Sequence, residues 1–548
     1  MQYKDIPSER LLSRLKAQLQ VKLKAGLRDE RGATAVFFAV GLVLLAPAAL
    51  GLVDVYLTTT QRAELQDALD TATLYAARSD KMTDAELKTV GQAALVSNLR
   101  LPEGQKLVSS DFKLAADKIT VVGTAQIEAP GVGPKLWERA DLTANSEVLR
   151  NSNNVEVALV LDTTGSMSAN MANLRTAAND LVTLVIKDQQ KPYYTKVALV
   201  PYAVGVNVGS LADAARGVLV GPVKISSIAL NGTRVEVTTS TPHALVTGDR
   251  VLLASTGKSI TPSNGSKVSL DAEYVVTWRA DNKFSLDGVT GALSGTLGSS
   301  AASQCLQEGC KQYSFVSASN NARKLFASTN CVSERVGSEA YTDAGPGVAG
   351  VGRLYQPPSN LNNPCSSAAI MPLTSSKDLL KQRIDGLTDS SSTAGQIGLA
   401  WGWYMVSPEW GSFVNAVSAD SVPAPYNKPQ TLKVVILMTD GAFNTPYCKG
   451  VIASDAGSGS GNASDHIKCS ATNGDPFAQA DKLCKNIKEK GVFIYTVGFN
   501  VGSDAKVKKL MNDCATSAEY VYMPANGTQL KVAFRAIAQD INSLRISK

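Results

Sequence analysis

Three short stretches carry oxygen donors where an α/β sheet would present them. The first is Leu161-Asp162-Thr163-Thr164-Gly165-Ser166, which follows the apolar run 155–161. Asp162, Thr164 and Ser166 therefore form a D-x-T-x-S turn at the carboxyl end of a buried strand, the end where open α/β sheets bind ligands. A second carboxylate, Asp440 in Thr439-Asp440-Gly441, follows the run 434–438 in the same way. Between them Thr393, in a Ser- and Thr-rich loop ahead of a helical stretch, offers another hydroxyl. Carboxylate and hydroxyl oxygens are hard donors that suit a divalent cation, Mg²⁺ first, with Mn²⁺ or Ca²⁺ as alternatives. So few carboxylates leave the ion electrophilic, with room for a Glu or Asp from a partner. Ser and Thr also cap helices, but capping does not account for two aspartates at strand ends.

The elements that must position these residues are legible from the apolar pattern. Runs 155–161, 432–438 and 492–499 are continuous and β-branched, as in strands buried on both faces of a parallel sheet. Helical patterns alternate with them at 475–491, 504–514 and 528–544. Strand–helix alternation predicts an α/β fold with a doubly wound, mainly parallel sheet, assigned to residues 154–220 and 301–548. Residues 221–300 interrupt it with hairpin-like spacing, a β-rich insertion. Trp401, Trp403 and Trp410 fall at helical spacing and read as packing groups. His243 reads as a turn residue, and the loop 454–464 (SDAGSGSGNAS) as flexible by composition.

Upstream, 33–53 is a run of 21 residues without a charge. As a helix it spans roughly 31 Å, enough to cross a bilayer, and Pro47 is tolerated there. A cleaved signal peptide is the competing reading, but the apolar stretch is long and the pattern Leu65, Leu69, Ala72, Ala76 continues the same rod. Eight Lys and Arg precede the span and only Arg62 follows within the next fifteen residues. The positive-inside rule puts residues 1–32 in the cytoplasm and the bulk of the chain in the periplasm or at the surface. Leu12, Leu15, Leu19 and Leu23 form a stripe suited to the inner leaflet, or to a merely solvated basic tail. Residues 54–150 read as a helical stalk, a capping box Thr83-Asp84-Ala85-Glu86 opening a short helix, and a small β unit with a turn at 129–134.

In its 548 residues the chain has 44% hydrophobic and 19% charged residues, enough for true cores. Of its net charge of +6, eight basic and four acidic groups lie in the first 31 residues, so the main body lacks the footprint of a nucleic-acid binder. All eight cysteines lie beyond the span, which suggests disulfides. Their connectivity is open. Cys484 with Cys514 is the first candidate, on helices flanking one strand, and Cys331 with Cys365 the second.

The D-x-T-x-S turn, the Thr393 loop and the Thr439-Asp440-Gly441 segment, in that order, resemble the metal-ion-dependent adhesion site (MIDAS) of von Willebrand factor type A domains. That resemblance implies first-segment ligands at Asp162, Thr164 and Ser166, a second-loop ligand at Thr393 and a third-loop carboxylate at Asp440. The stretches RGATAVFFAVG and QRAELQDALDTATLYAA resemble the amino-terminal region of the TadE/TadG-like Flp pilus-assembly family. Further stretches similar to TadG-type proteins include LVLDTTGSMS, CVSERVGSEAYTDAGPG, IGLAWGWYMVSPEW and ILMTDGAFN. Pilin-like relatives carry Glu near the fifth position after the Gly, where this chain has Phe37 after Gly32, which favours a retained anchor over pilin-style processing. The resemblance implies a pilin-like α+β unit after a single-pass inner-membrane anchor, and a non-enzymatic component of a tight-adherence pilus. It would bind pilus subunits or other envelope proteins, or further copies of itself. The alternatives are a structural scaffold with a vestigial metal site, and a metal-dependent hydrolase. The last would need a base and an orienting partner for Ser166 that the sequence does not supply.

Overall fold

The computed structural model describes residues 30–546 except 80, 82, 116–119, 130–139, 150–152, 192, 358–362, 391, 427 and 429. The basic stripe at Leu12–Leu15–Leu19–Leu23 and the turn expected at 129–134 therefore lie outside the described residues or at their edge. The chain divides into two compact units, one ending at Asn151 and the other beginning at Ser152.

In the first unit a single helix, α1 (Glu30–Arg78), runs through Pro47 without interruption. Its apolar side chains near the start stand free, with Phe37, Leu44 and Leu45 each about two-thirds exposed. From Leu65 onward the same helix turns Leu65, Leu69, Ala72 and Ala76 into a core. Helix α2 (Asp84–Asn98) opens on the expected capping box: Thr83 Oγ1 donates to Glu86 Oε2 at 2.7 Å and accepts from the Glu86 N–H. Strands β1 (Leu107–Leu114), β2 (Thr120–Ile127) and β3 (Leu142–Leu149) form an antiparallel sheet in that order. In β2 strict alternation buries Val121, Gly123, Ala125 and Ile127 toward the helices. Gly91 lets α2 approach β1, because a Cβ there would sit 2.4 Å from the Phe112 ring.

The second unit is built on β4 (Asn154–Asp162), followed by α3 (Met171–Val185) and β5 (Thr195–Tyr202). A five-residue helix, α4 (Ala212–Arg216), leads into a closed six-stranded antiparallel barrel. Its strands are β6 (Val223–Asn231), β7 (Arg234–Thr239), β8 (Arg250–Ala254), β9 (Glu273–Ala280), β10 (Lys283–Leu286) and β11 (Ala302–Cys305). They close in the order β9-β10-β7-β6-β11-β8. The boundary expected at residue 300 is thus too early. β11 pairs with β6 and β8 and is needed for closure.

Residues after the barrel do not return at once to the main sheet, as the sequence pattern suggested. β12 (Gln312–Val316), β13 (Arg323–Ser333) and β14 (Gly352–Gln356) form a separate antiparallel sheet, with residues 206–207 paired to β13. The main sheet then resumes with β15 (Met371–Thr374), α5 (Lys377–Asp385) and α6 (Gly395–Val406). It ends with β16 (Thr431–Thr439), α7 (Pro476–Glu489), β17 (Phe493–Gly498), α8 (Ala505–Cys514), β18 (Val521–Tyr522) and α9 (Gly527–Ile546).

The main sheet has the order β15-β5-β4-β16-β17-β18, parallel except for edge strand β15. Both faces are covered, which is why β4 reads as an unbroken apolar run. Val155, Val157, Leu159 and Leu161 pack with residues of α3, α5 and α9, while Ala158 and Val160 pack with those of α6, α7 and α8. Trp401, Trp403 and Trp410 are fully buried packing groups.

Four disulfides join Cys305–Cys310, Cys331–Cys365, Cys448–Cys469 and Cys484–Cys514. The last ties α7 to α8 beside β17. Cys448–Cys469 brackets the loop 454–464, which is mostly exposed and is tied down at Ser458 and Ser460. Asn444 Nδ2 donates to Ser458 O at 3.2 Å, Asn363 Nδ2 to Ser460 O at 2.7 Å, and Ser460 is buried. Two neighbouring amides thus meet carbonyls of the Gly- and Ser-rich loop.

Candidate metal centre

The carboxyl ends of β4 and β16 lie side by side because the two strands pair in parallel, Leu437 opposite Val160. That pairing brings Asp162 and Asp440 together from 278 residues apart along the chain. Asp162 is fully buried and collects five donors. The Thr164 N–H and hydroxyl reach Oδ1 at 2.9 and 2.6 Å. The Thr439 hydroxyl, the Tyr202 hydroxyl and the Asp440 N–H reach Oδ2 at 2.9, 3.2 and 3.3 Å. A carboxylate has about four lone-pair sites, so these donors fully engage Asp162 and fix its orientation.

Those neighbours form a chain of oxygens toward solvent. Thr164 Oγ1 lies 3.1 Å from Ser166 Oγ, and Ser166 donates to Asp440 Oδ1 at 2.8 Å. Ser166 is exposed and Asp440 partly so, whereas Thr164 is buried. Four of the five expected residues thus converge. Thr393 is tied to the same region through its backbone. Its N–H donates to Asn444 Oδ1 and its carbonyl accepts from the Asn444 N–H, both at 3.0 Å. The neighbouring Ser390 N–H donates to Thr163 O at 2.7 Å, so the three loops are laced together. Among the described contacts no hydrogen bond joins the Thr393 hydroxyl to the other four residues.

Electrostatics favour a cation. Burial pushes the Asp162 carboxyl above its ordinary value despite its hydrogen bonds. Burial, and then the charge of Asp162, push Asp440 up to about 7. Two carboxylates at neighbouring, poorly solvated strand ends resist joint ionisation unless a positive charge joins them. Among the described residues no Lys or Arg forms an ion pair with either. All-oxygen donors with two acids fit a hard divalent ion. The residues that would hold it on the solvent side are Ser166 and Asp440, with Thr164 behind. With two acids this centre is not a group of three or more His, Cys, Asp or Glu, and no such group occurs among the described residues.

The sequence pattern missed Tyr202 and Thr439 as clamps on Asp162, and Asn444 as the tie to the Thr393 loop. Thr439 was detectable, since it directly precedes Asp440 at the strand end. Tyr202, at the end of β5, looks like any core aromatic until the register of β4 and β5 sets it opposite Asp162.

No family model and no curated protein matches the chain. Several solved structures share part of its shape, among them pilus adhesins and pilus tip proteins. The pilus adhesin SpaC of Lactobacillus rhamnosus GG is 12% identical with a TM-score of 0.31, over 82% of this chain and 36% of that one. This chain thus spans about a third of that adhesin's length. The von Willebrand factor domain of the type V pilus tip protein Mfa5 of Porphyromonas gingivalis is 11% identical with a TM-score of 0.33, over 72% of this chain and 97% of that one. Proximal thread matrix protein 1 of the mussel byssus, with a zinc-occupied MIDAS motif, is 13% identical with a TM-score of 0.26, over 72% of this chain and 47% of that one. Scores near 0.3 describe a partial likeness of shape and leave the role of this chain to its own residues.

Proposed function

We propose that the chain is a membrane-anchored, TadG-like component of a tight-adherence pilus apparatus, held in the bacterial inner membrane by α1 with its bulk outside the cytoplasm. On this reading its main sheet is a von Willebrand factor type A domain. Asp162, Thr164, Ser166, Thr393 and Asp440 hold a divalent cation, Mg²⁺ before Mn²⁺ or Ca²⁺, and present it to a carboxylate of a pilus subunit or envelope protein. One observation supports it above the rest: the unbroken oxygen chain Asp162–Thr164–Ser166–Asp440, closing across two parallel strand ends. The ion would supply an open coordination position. The chain's own residues orient the donors and keep Asp162 dry.

Hydrolysis is the weaker reading. Ser166 meets Thr164 and Asp440, and neither histidine. His243 is spent in a barrel turn on Ala280 O and the Leu245 N–H, and His466 lies against Ser460. The test is capture of envelope proteins by the full chain in detergent, with Mg²⁺ or with chelator. The expected result is a partner lost both on chelation and in Asp440→Ala. A partner retained equally in all arms would leave a scaffold with a vestigial metal site.

A further inference from the structure

We propose that the cleft beside α4, far in sequence from the candidate metal centre, is a binding site for a small oxyanion. The cleft has a volume of about 330 Å³, and Asp213, Arg216, Lys311, Ser210, Ser328 and Asn330 contribute to its lining. Arg216 is 7% exposed. One of its terminal nitrogens donates to Thr329 O, and the other reaches Asp213 Oδ1 only at 3.4 Å. Its Nε is buried and meets no acceptor among the described residues. A buried guanidinium with an unmet donor is costly, and an oxyanion is the group its planar fork fits best.

One further cation, Lys311, lines the cleft, and Arg353 stands near it without lining it. Lys311 is exposed, its Nζ 3.6 Å from where a Cβ on Gly221 would lie, and it has no ion pair among the described residues. Arg353 Nη2 lies 3.7 Å from the Cβ position of Gly217, its Nε is also buried without an acceptor, and its charge acts on Arg216. Against Arg216 and Lys311 in the lining stands Asp213, whose side chain is 56% exposed and so well screened by water, while Glu308 acts alongside Arg353 on the nearby Tyr355. Arg216 ends α4 just before the barrel and Lys311 follows just after it, while Ser328, Asn330 and Arg353 lie on β13 and β14. The chain entering and the chain leaving the barrel are joined where the Val220 N–H donates to Gly309 O and the Lys311 N–H to Val220 O. A bound oxyanion would neutralise that junction.

Phosphate and carboxylate share the chemistry, so the probes are inorganic phosphate and acetate. Equilibrium dialysis of the full chain in neutral detergent, at constant ionic strength with chloride as the balancing salt, measures binding of labelled phosphate. A parallel arm uses labelled acetate. Saturable binding of one equivalent of either probe is expected, phosphate alone marking a tetrahedral preference and acetate alone a carboxylate site. Lys311→Gln, a surface change, should weaken that binding at least tenfold, about 1.4 kcal/mol, and Asp213→Asn should tighten it. Binding of neither probe overturns the proposal, as does binding that Lys311→Gln leaves unchanged.

Discussion

Glu334, at the end of β13, shows what a single buried acid costs. It is 8% exposed, accepts the Tyr447 N–H at 3.0 Å on Oε1, and lies 3.4 Å from Gln396 Nε2 on Oε2. The adjacent Arg335 spends its guanidinium on the carbonyls of Glu339, Thr342 and Ala344. Burial therefore pushes Glu334 from an ordinary 4.5 up to about 7. Below pH 4.5 the folded and unfolded chains both hold the proton, and this group is neutral to stability. Between those values only the folded chain keeps it, so stability falls as pH rises, and above pH 7 the full cost of about 3 kcal/mol applies. Glu334→Gln should erase that slope because an amide does not titrate, and its Nε2 can donate to Gln396 Oε1, a buried acceptor with no donor among the described residues. Urea denaturation should find the variant about 3 kcal/mol more stable at pH 8 and equal to the parent near pH 4; equality at both ends would refute it. At the candidate metal centre, if the proposed cation binds, the corresponding expectation concerns Ser166→Ala and Asp440→Asn. The parent should gain about 2.7 kcal/mol at Mg²⁺ one hundred times its dissociation constant, and both variants should gain nothing over the chelated sample. Asp162 and Asp440 were legible in the sequence because a strand end followed by Asp is a local pattern. Tyr202 was not, since only strand register brings it to Asp162.

Among the elements, α6 decides how closely the Thr393 loop approaches the sheet. It is buried on every side, and three glycines permit that. A Cβ on Gly395 would sit 2.0 Å from the Phe443 ring, one on Gly398 2.5 Å from the Tyr202 ring, and one on Gly402 2.4 Å from Val160. Gly398→Ala would gain about 1 kcal/mol of helix propensity but must displace a ring whose hydroxyl clamps Asp162. Overpacking of this kind costs about 1–3 kcal/mol. The expected outcome is a net loss of stability in the metal-free protein together with weaker Mg²⁺ binding. Calorimetric titration of the variant checks it, and unchanged affinity would detach α6 from the site. The core strands were readable because burial on both faces writes a continuous apolar run into each. Barrel closure was not, because the pairing of β11 with β6 and of β9 with β8 joins segments 50 or more and about 20 residues apart. Alternation within a strand carries no trace of its partner.

At the scale of the whole molecule the question is whether α1 stays in the chain as an anchor. It is the one helix among the described residues long and apolar enough to cross a membrane. The free stretch around Phe37–Leu44–Leu45 passes, without a break in the helix, into the packed stretch beginning at Leu65. Cleavage after the apolar run would shorten this helix but leave its core residues, from Leu65 onward, in the chain. An uncleaved anchor predicts that the full chain stays with membranes in alkaline carbonate. It also predicts that, in spheroplasts, external protease removes the bulk of the chain while an epitope placed before residue 30 survives. Leu44→Arg with Leu45→Arg puts two charges at mid-span, at about 2.5–3.5 kcal/mol each, and should shift the chain out of the carbonate-resistant fraction while the fold beyond Leu65 persists. Recovery of an epitope-free, carbonate-soluble product from the parent chain would mean the apolar run is a signal sequence. The basic residues before it would then have directed export without remaining as a cytoplasmic foot.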